Sequence, residues 1–320
     1  MSIKPKILLT LGDPNGIGPE IILKIFKDKN NFRHNSLKII GSKKVLDHYS
    51  SLLKLKKIDA VDILELPAYK NFKVRTGKAD ANGGRLSGDA IRLGAELCMK
   101  KEFNAIVTLP ISKEALNTGG YKFTGHTELL TSLTNSTSAA MIMYSDKIII
   151  SPVTIHIPLK EVSTVLTKSL LRKKLLSLNN ILRDDFNVKH PIIAVLSLNP
   201  HCSDNNLIGN EESKIIKPVI KELKEKGIKV EGPLSSDAFF GNKHFTNYTA
   251  IAAMYHDQGL IPFKMLSPKA GVNYTGGLNI IRTSPVHGTG FDISGKGIAN
   301  TESTTAAIKL ACKLVKIKRQ

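Results

Sequence analysis

Short apolar runs of strand length alternate with longer amphipathic segments along nearly all of this 320-residue chain. That alternation is the pattern of a parallel or mostly parallel sheet with helices on both faces, an α/β fold. The opening KILLTLGD predicts a strand, then a turn at Pro14, Asn15 and Gly16, then a helix from about Pro19, a residue suited to the first helical position. LKIIGS and the lysine-rich segment after it repeat the unit. SGDAIRLGAELCMKK, KSLLRKKLLSLNNILRDDF, ESKIIKPVIKELKEKG and the closing TESTTAAIKLACKLVKI predict helices. FNAIVTLP, PIIAVLSLNP and YTAIAAMYHD predict strands, MIMYSDKIIISPVTIHIP predicts a pair of them, and Thr124 to Leu133 reads as a loop entering a helix.

Composition narrows the function classes. With 42% hydrophobic and 23% charged residues the chain has the makings of a folded globular protein. It holds no apolar stretch of the ~18 or more residues that a membrane helix needs. MSIKPKILLTLGD lacks the long apolar core and cleavage site of a signal peptide, so a cytoplasmic location is expected. Cys98, Cys202 and Cys312 are odd in number and widely spaced, which predicts free thiols. A net charge of +19 invites a nucleic-acid reading, but the lysines are scattered along the chain opposite apolar positions, as on solvated helix faces. Their milder expected role is to steer a small anion such as a phosphorylated substrate.

Three of the nine histidines carry the chemistry. His156, His201 and His256 each stand at or just beyond the end of an apolar run, in SPVTIHIP, AVLSLNPH and AIAAMYHD. Ligands of open α/β sheets bind where strands end, so three imidazoles delivered there could converge on one metal ion with a position left open. Chance placement and burial as neutral core residues are the competing explanations. Asp257, beside His256, could orient an imidazole, accept a proton or cap a helix. With Asp257 as base, the same histidines would equally suit a zinc hydrolase. His34, His48, His190 and His244 lie in polar, irregular stretches and are assigned no role. LNIIRTSPVHGTGFDISGKGIAN is rich in Gly, Ser and Thr, a composition that lets backbone amides approach an anion or nucleotide. Gly16 and Gly18 after the first strand lack the third glycine of the dinucleotide fingerprint.

HGTGFDISGKGIAN, His287 to Asn300, resembles the cofactor loop of the isocitrate and isopropylmalate dehydrogenases, which bind NAD or NADP without that fingerprint. GDPNGIGPEI, GHTELL, NPHCSDNNLIGNEE, MYHDQGLIPFK and GVNYTGGLNIIRTSPVHGTGFDISGKG, in this order, resemble the 4-hydroxythreonine-4-phosphate dehydrogenase family of vitamin B6 synthesis. The resemblance implies a two-domain α/β/α sandwich, 1–125 with 297–320 forming one domain and 126–296 the other. It also implies an active site in the interdomain cleft, shared across a homodimer.

Laid on this sequence, the resemblance implies metal ligation by His156, His201 and His256, by zinc first, with cobalt or magnesium as alternatives. It implies substrate contacts from His126, Thr127, Lys264, Asn273 and Arg282; Lys264 and, from its place beside His256, Asp257 are the candidate catalytic groups. His287, Gly288, Asp292, Gly295 and Asn300 would hold NAD or NADP. The expected reaction is oxidation of 4-phosphooxy-L-threonine with decarboxylation to 3-amino-2-oxopropyl phosphate. A sibling activity on threonate or erythronate phosphate is the alternative. One departure stands out: CSDNNLIG follows His201 where the family is glycine-rich, and it puts Cys202 beside a ligand, where a small apolar packing role is expected.

Overall fold

The computed structural model describes residues 4–27, 32, 35–123, 125–137 and 139–318, which divide into two compact units, 1–139 with 278–320, and 140–277. The first unit opens with β1 (Lys6–Thr10), α1 (Gly18–Lys27), β2 (Ser36–Gly41), α2 (Lys43–Leu53) and β3 (Ile63–Glu65). It continues through α3 (Ala81–Met99), β4 (Ala105–Thr108), α4 (Lys113–Thr118) and α5 (His126–Leu133). The second unit holds β5 (Ala140–Tyr144), β6 (Ile149–Pro152), α6 (Val162–Val165), α7 (Lys168–Asp184), β7 (Ile193–Leu196) and α8 (Lys217–Glu225). After these come β8 (Val230–Leu234), α9 (Ser236–Gly241), β9 (Ala250–Ala253), α10 (His256–Leu266) and β10 (Val272–Gly276). The chain then returns to the first unit as β11 (Ile281–Pro285) and α11 (Glu302–Ile317).

In the first unit the strand order is β3-β2-β1-β4-β11, with every pairing parallel. Ile7, Leu8 and Leu9 of β1 are wholly buried, as are Ala105, Ile106 and Val107 of β4. Such continuous apolar runs belong to strands covered on both faces, each large side chain contributing about 1.5–3 kcal/mol. In the second unit the order is β10-β5-β6-β9-β7-β8. There β10, β5 and β6 pair antiparallel, while β6, β9, β7 and β8 run parallel. The α/β architecture expected from the alternation is therefore present.

The units divide elsewhere than the expected 125/126 and 296/297. Helix α5 packs on α3, and β11 pairs with β4, so both elements belong to the first unit. Helix α3 also begins at Ala81, ahead of the expected Ser87, because the Asp80 carboxylate accepts from Gly83 N at 2.7 Å and caps it there. A Cβ on Gly84 would stand 1.7 Å from the Ala115 carbonyl oxygen, so the glycines that disguised this first turn admit the close approach of α4. ESKIIKPVIKELKEKG is helical as far as Glu225, but Glu212–Ile216 forms a wide π turn just ahead of Pro218, which has no N–H for the ladder.

Candidate active site

Strands β6, β9 and β7 are consecutive, parallel neighbours, so their carboxyl ends lie along one edge of the second unit's sheet. His156 follows β6, His256 is the first residue of α10 after β9, and His201 follows β7. With strands about 4.8 Å apart, topology alone delivers three imidazoles to the same edge. The His156 and His256 rings face each other with centroids 5.9 Å apart, and both line a cavity of about 290 Å³ with Thr154, Tyr255 and Asp257. Asp257 Oδ1 lies 2.6 Å from His256 Nδ1. A proton on Nδ1 in that bond leaves Nε2 as a free acceptor, the usual arrangement of a metal-ligating histidine. This contact is of the kind that orients an imidazole.

His201 behaves differently. Its φ of 50° begins a run of left-handed residues, Cys202 at 56°, Ser203 at 71°, Asp204 at 40°, Asn205 at 56° and Asn206 at 73°. Each such non-glycine residue costs about 1–2 kcal/mol, so something must hold the turn. Glu212 does so from within: its carboxylate accepts from Leu198 N and Asn199 N at 2.8 Å each, from Asn199 Nδ2 at 2.9 Å, and from Ser203 Oγ. Burial alone would raise this carboxyl, but the hydrogen bonds led by Asn199 N–H outweigh it and hold it below the ordinary range.

His201 is exposed and does not line the cavity of His156 and His256. Among the described residues no three His, Cys, Asp or Glu side chains gather closely enough to hold a metal ion. The strand ends are fixed by pairing, whereas the rotamers on them are not; two of the three expected ligands meet and the third stands apart. The chemistry of the set still fits a borderline divalent ion: imidazole donors, one of them already oriented by a carboxylate.

In the first unit Arg282 lies in β11, 2% exposed, with Nε and Nη2 donating to Thr108 Oγ1 at 2.9 and 2.7 Å. Burial pushes its guanidinium down to about 9, still charged at neutral pH, with Glu128 of α5 acting the other way. His126, at the start of α5, is held well below 6.5, first by burial and then by the charge of Arg282. Its imidazole bonds the Leu109 carbonyl, and its Nε2 is buried without a hydrogen-bond partner among the described residues. The structure thus places His126 within the field of Arg282, with half-buried Thr127 next along the helix. Lys264 is exposed on α10 and Asn273 half-buried in β10, both in the second unit.

The 286–300 loop is fastened to the first turn of the chain. Glu20, wholly buried, accepts from Ala299 N at 2.7 Å and Gly297 N at 3.2 Å, while Lys24 Nζ donates to the carbonyls of the same two residues at 2.8 and 2.9 Å. Ser294 Oγ lies 2.8 Å from Asn15 O, and Ile17 N donates to Thr289 O at 2.9 Å. Within the loop His287 Nδ1 meets Gly288 O at 3.1 Å, and its Nε2 is buried with no hydrogen-bond partner. Burial lowers this imidazole too, so it presents a neutral ring. Gly295 needs its φ of 73°, Asp292 is exposed, and Asn300 Oδ1 accepts from Glu302 N at 2.7 Å, which gives it a role in starting α11. The glycines of this loop and the His287 Nε2 left without a partner among the described residues would suit a dinucleotide.

The three cysteines are free, and Cys202 Sγ donates to Pro233 O at 3.4 Å as a thiol that burial pushes up. His34 and Thr124 fall outside the described residues. Glu20, Thr108, Glu212 and Gln258 carry no assignment from the sequence, although GDPNGIGPEI, NPHCSDNNLIGNEE and MYHDQGLIPFK contain three of them. No helix among the described residues is long and apolar enough to cross a membrane.

Over residues 33–311 the sequence matches the family described as pyridoxal phosphate biosynthetic protein PdxA. A 4-hydroxythreonine-4-phosphate dehydrogenase from Bacteroides thetaiotaomicron is 39% identical over 320 residues, covering 96% of this chain and 88% of that protein. A D-threonate 4-phosphate dehydrogenase from Pectobacterium atrosepticum is 37% identical, covering 96% and 98%. The crystal structure of 4-hydroxythreonine-4-phosphate dehydrogenase from Klebsiella pneumoniae matches with a TM-score of 0.87 at 34% identity over 98% of each chain. Isocitrate dehydrogenase from Methylococcus capsulatus, at a TM-score of 0.51 and 14% identity over 98% of this chain and 91% of that one, shares the fold. The hydrolase reading gives way to these matches: the chain belongs to the PdxA family of pyridoxal phosphate biosynthetic proteins and is a dehydrogenase.

Proposed function

We propose that the protein oxidises 4-phosphooxy-L-threonine with NAD or NADP and decarboxylates the product to 3-amino-2-oxopropyl phosphate. The observation that supports this most is the sheet edge at which β6, β9 and β7 end, where His156 and His256 already face one another. A divalent ion held by these two and His201, zinc or else cobalt or magnesium, would supply a Lewis acid for the oxygen being oxidised and for the carbonyl it becomes. The chain's own groups do the rest. Arg282, fixed by Thr108, binds a phosphate or carboxylate; Lys264 adds a second cation; Thr127 and Asn273 set orientation through neutral hydrogen bonds.

His126 Nε2, an uncharged acceptor, takes a hydrogen bond from the substrate hydroxyl or ammonium. NAD or NADP, which His287, Gly288, Asp292, Gly295 and Asn300 would hold, would supply the hydride acceptor for the hydroxyl-bearing carbon, and the hydroxyl proton leaves by way of Asp257. The resulting β-keto acid loses carbon dioxide; the electron pair of the broken bond passes into the ketone, and Lys264 returns a proton to carbon. Two copies share each active site, in the cytoplasm.

Reduction of NAD and of NADP by purified, metal-reloaded protein tests the reading, with 4-phosphooxy-L-threonine and D-threonate 4-phosphate offered separately. Turnover of the amino acid phosphate supports it. Turnover of D-threonate 4-phosphate alone assigns the sibling activity, which the 37% identity to a D-threonate 4-phosphate dehydrogenase favours as the second reading.

A further inference from the structure

Between the three histidine-bearing strand ends runs a chain of hydrogen bonds that none of the assigned residues accounts for. Thr154, two residues before His156, donates to the Met254 carbonyl through Oγ1 at 2.7 Å and through its backbone N at 3.2 Å. Met254, two residues before His256, donates its own N–H to Gln258 Oε1 at 2.6 Å. Gln258 Nε2 then donates to the Ser197 carbonyl at the end of β7 at 2.6 Å and to Ser236 Oγ at 2.8 Å. Ser197 Oγ in turn donates to the Asn199 carbonyl at 2.9 Å, two residues before His201.

The sequence of contacts follows the order of the strands, β6 to β9 to β7. Every polar atom of the Gln258 amide is used: the oxygen on one carrier, one N–H on the next and the other on α9. No other common side chain of this length offers an acceptor and two donors from one rigid plane. A glutamate would set an acceptor against the Ser197 carbonyl, and a leucine would leave Met254 N–H and Ser197 O without their partner.

We infer that Gln258 is a positioning residue, tying the carrier of His256 to the carrier of His201 beside the strand ends at which a metal ion would be held. This rests on the metal reading given above. It also gives His201, which stands apart from the other two ligands, a mechanical link to His256 that its exposed left-handed turn does not supply. Thr154 is the matching brace on the His156 side.

The test is titration of the full chain with cobalt(II), followed by visible absorption and by competition with zinc, alongside thermal melting. Wild-type protein takes up one ion per chain, and His156→Ala abolishes uptake. Gln258→Glu should weaken zinc and cobalt binding about 10–100-fold and alter the cobalt absorption envelope, while KM for NAD stays unchanged. Ser236→Ala, which removes only the α9 arm, should bind within about threefold of wild type, a much smaller change than loss of an outer-shell partner. A residue that merely stabilises the fold would lower the melting midpoint and leave the affinity and spectrum of the folded protein alone; that result overturns the brace and leaves the metal site standing. Wild-type protein that binds neither ion overturns both. Should Gln258→Glu fail to fold, the pair Thr154→Val and Thr154→Ser reads the other arm: loss of affinity in the first and its recovery in the second support the chain of contacts, and equal affinity overturns it.

Discussion

Arg282 Nε and Nη2 close on the single hydroxyl oxygen of Thr108 at 2.9 and 2.7 Å, so a neighbouring strand fixes the plane of a buried guanidinium. A lysine could carry the charge but not the fork. Arg282→Lys should raise KM for the phosphorylated substrate by about 10–150-fold, the equivalent of a lost charge-assisted hydrogen bond of roughly 1.5–3 kcal/mol. Thr108→Val should act in the same direction and less strongly. Steady-state kinetics on folded variants decide it: a wild-type KM in Arg282→Lys would remove Arg282 from the substrate site.

His126 predicts acid sensitivity. Its folded value lies well below 6.5, through burial and then Arg282, so the unfolded chain binds a proton there before the folded protein does. The stability it contributes is present above pH 6.5 and is lost as pH falls below that value. His126→Gln keeps an acceptor and does not titrate. Its melting temperature should fall less steeply than that of wild type from neutral pH toward pH ~5, and parallel curves would refute the assignment.

Asp13, 1% exposed, works in the opposite sense over an overlapping range. Burial is the main cause that raises it from 3.8 to about 6. Between those values the folded protein holds a proton that the unfolded chain has released, so stability falls as pH rises through the window, by about 3 kcal/mol at most. Asp13→Asn should abolish that slope and gain stability relative to wild type at neutral pH. Because His126 and Asp13 partly cancel, each must be read as a difference between a variant and wild type; a steeper loss in Asp13→Asn would contradict the sign.

Glu20→Ala would strand the buried Ala299 amide and the partly buried Gly297 amide and leave Lys24 without the carboxylate that it meets at 2.7 Å. Breaking such a pair costs roughly 3–5 kcal/mol. Faster hydrogen exchange at Gly297 and Ala299 and a raised KM for NAD are expected, with KM for the phosphorylated substrate changed much less. Protected amides at both positions in the variant would show that the loop has another anchor.

Much of this was legible in the residues. Period and length gave the α/β alternation, and the placing of His156, His201 and His256 at strand ends holds because β6, β7 and β9 end within a few residues of them. What stayed hidden was non-local. Glu20 meets Gly297 across a separation of 277 residues, and nothing near either residue announces the other. The start of α3 was disguised by Gly83 and Gly84, whose poor helix propensity is overridden by the Asp80 cap and the close approach of α4. Rotamers were beyond reach as well: a pattern places an imidazole at a strand end but does not aim it, and His201 shows the difference.

The division of the chain also sets a timetable. Residues 140–277 are continuous in sequence, whereas the other unit is completed by 278–320, which leave the ribosome after them. Until that stretch arrives, β4 has its β11 side open, and Ile106 and Val107 lack the strand that pairs with them and the helix α11 that packs on β4. The inserted unit can finish during synthesis; the enclosing one can be completed only after it. A nascent chain stalled before Ile281 would therefore expose an apolar strand edge, of the kind that invites pairing with another chain.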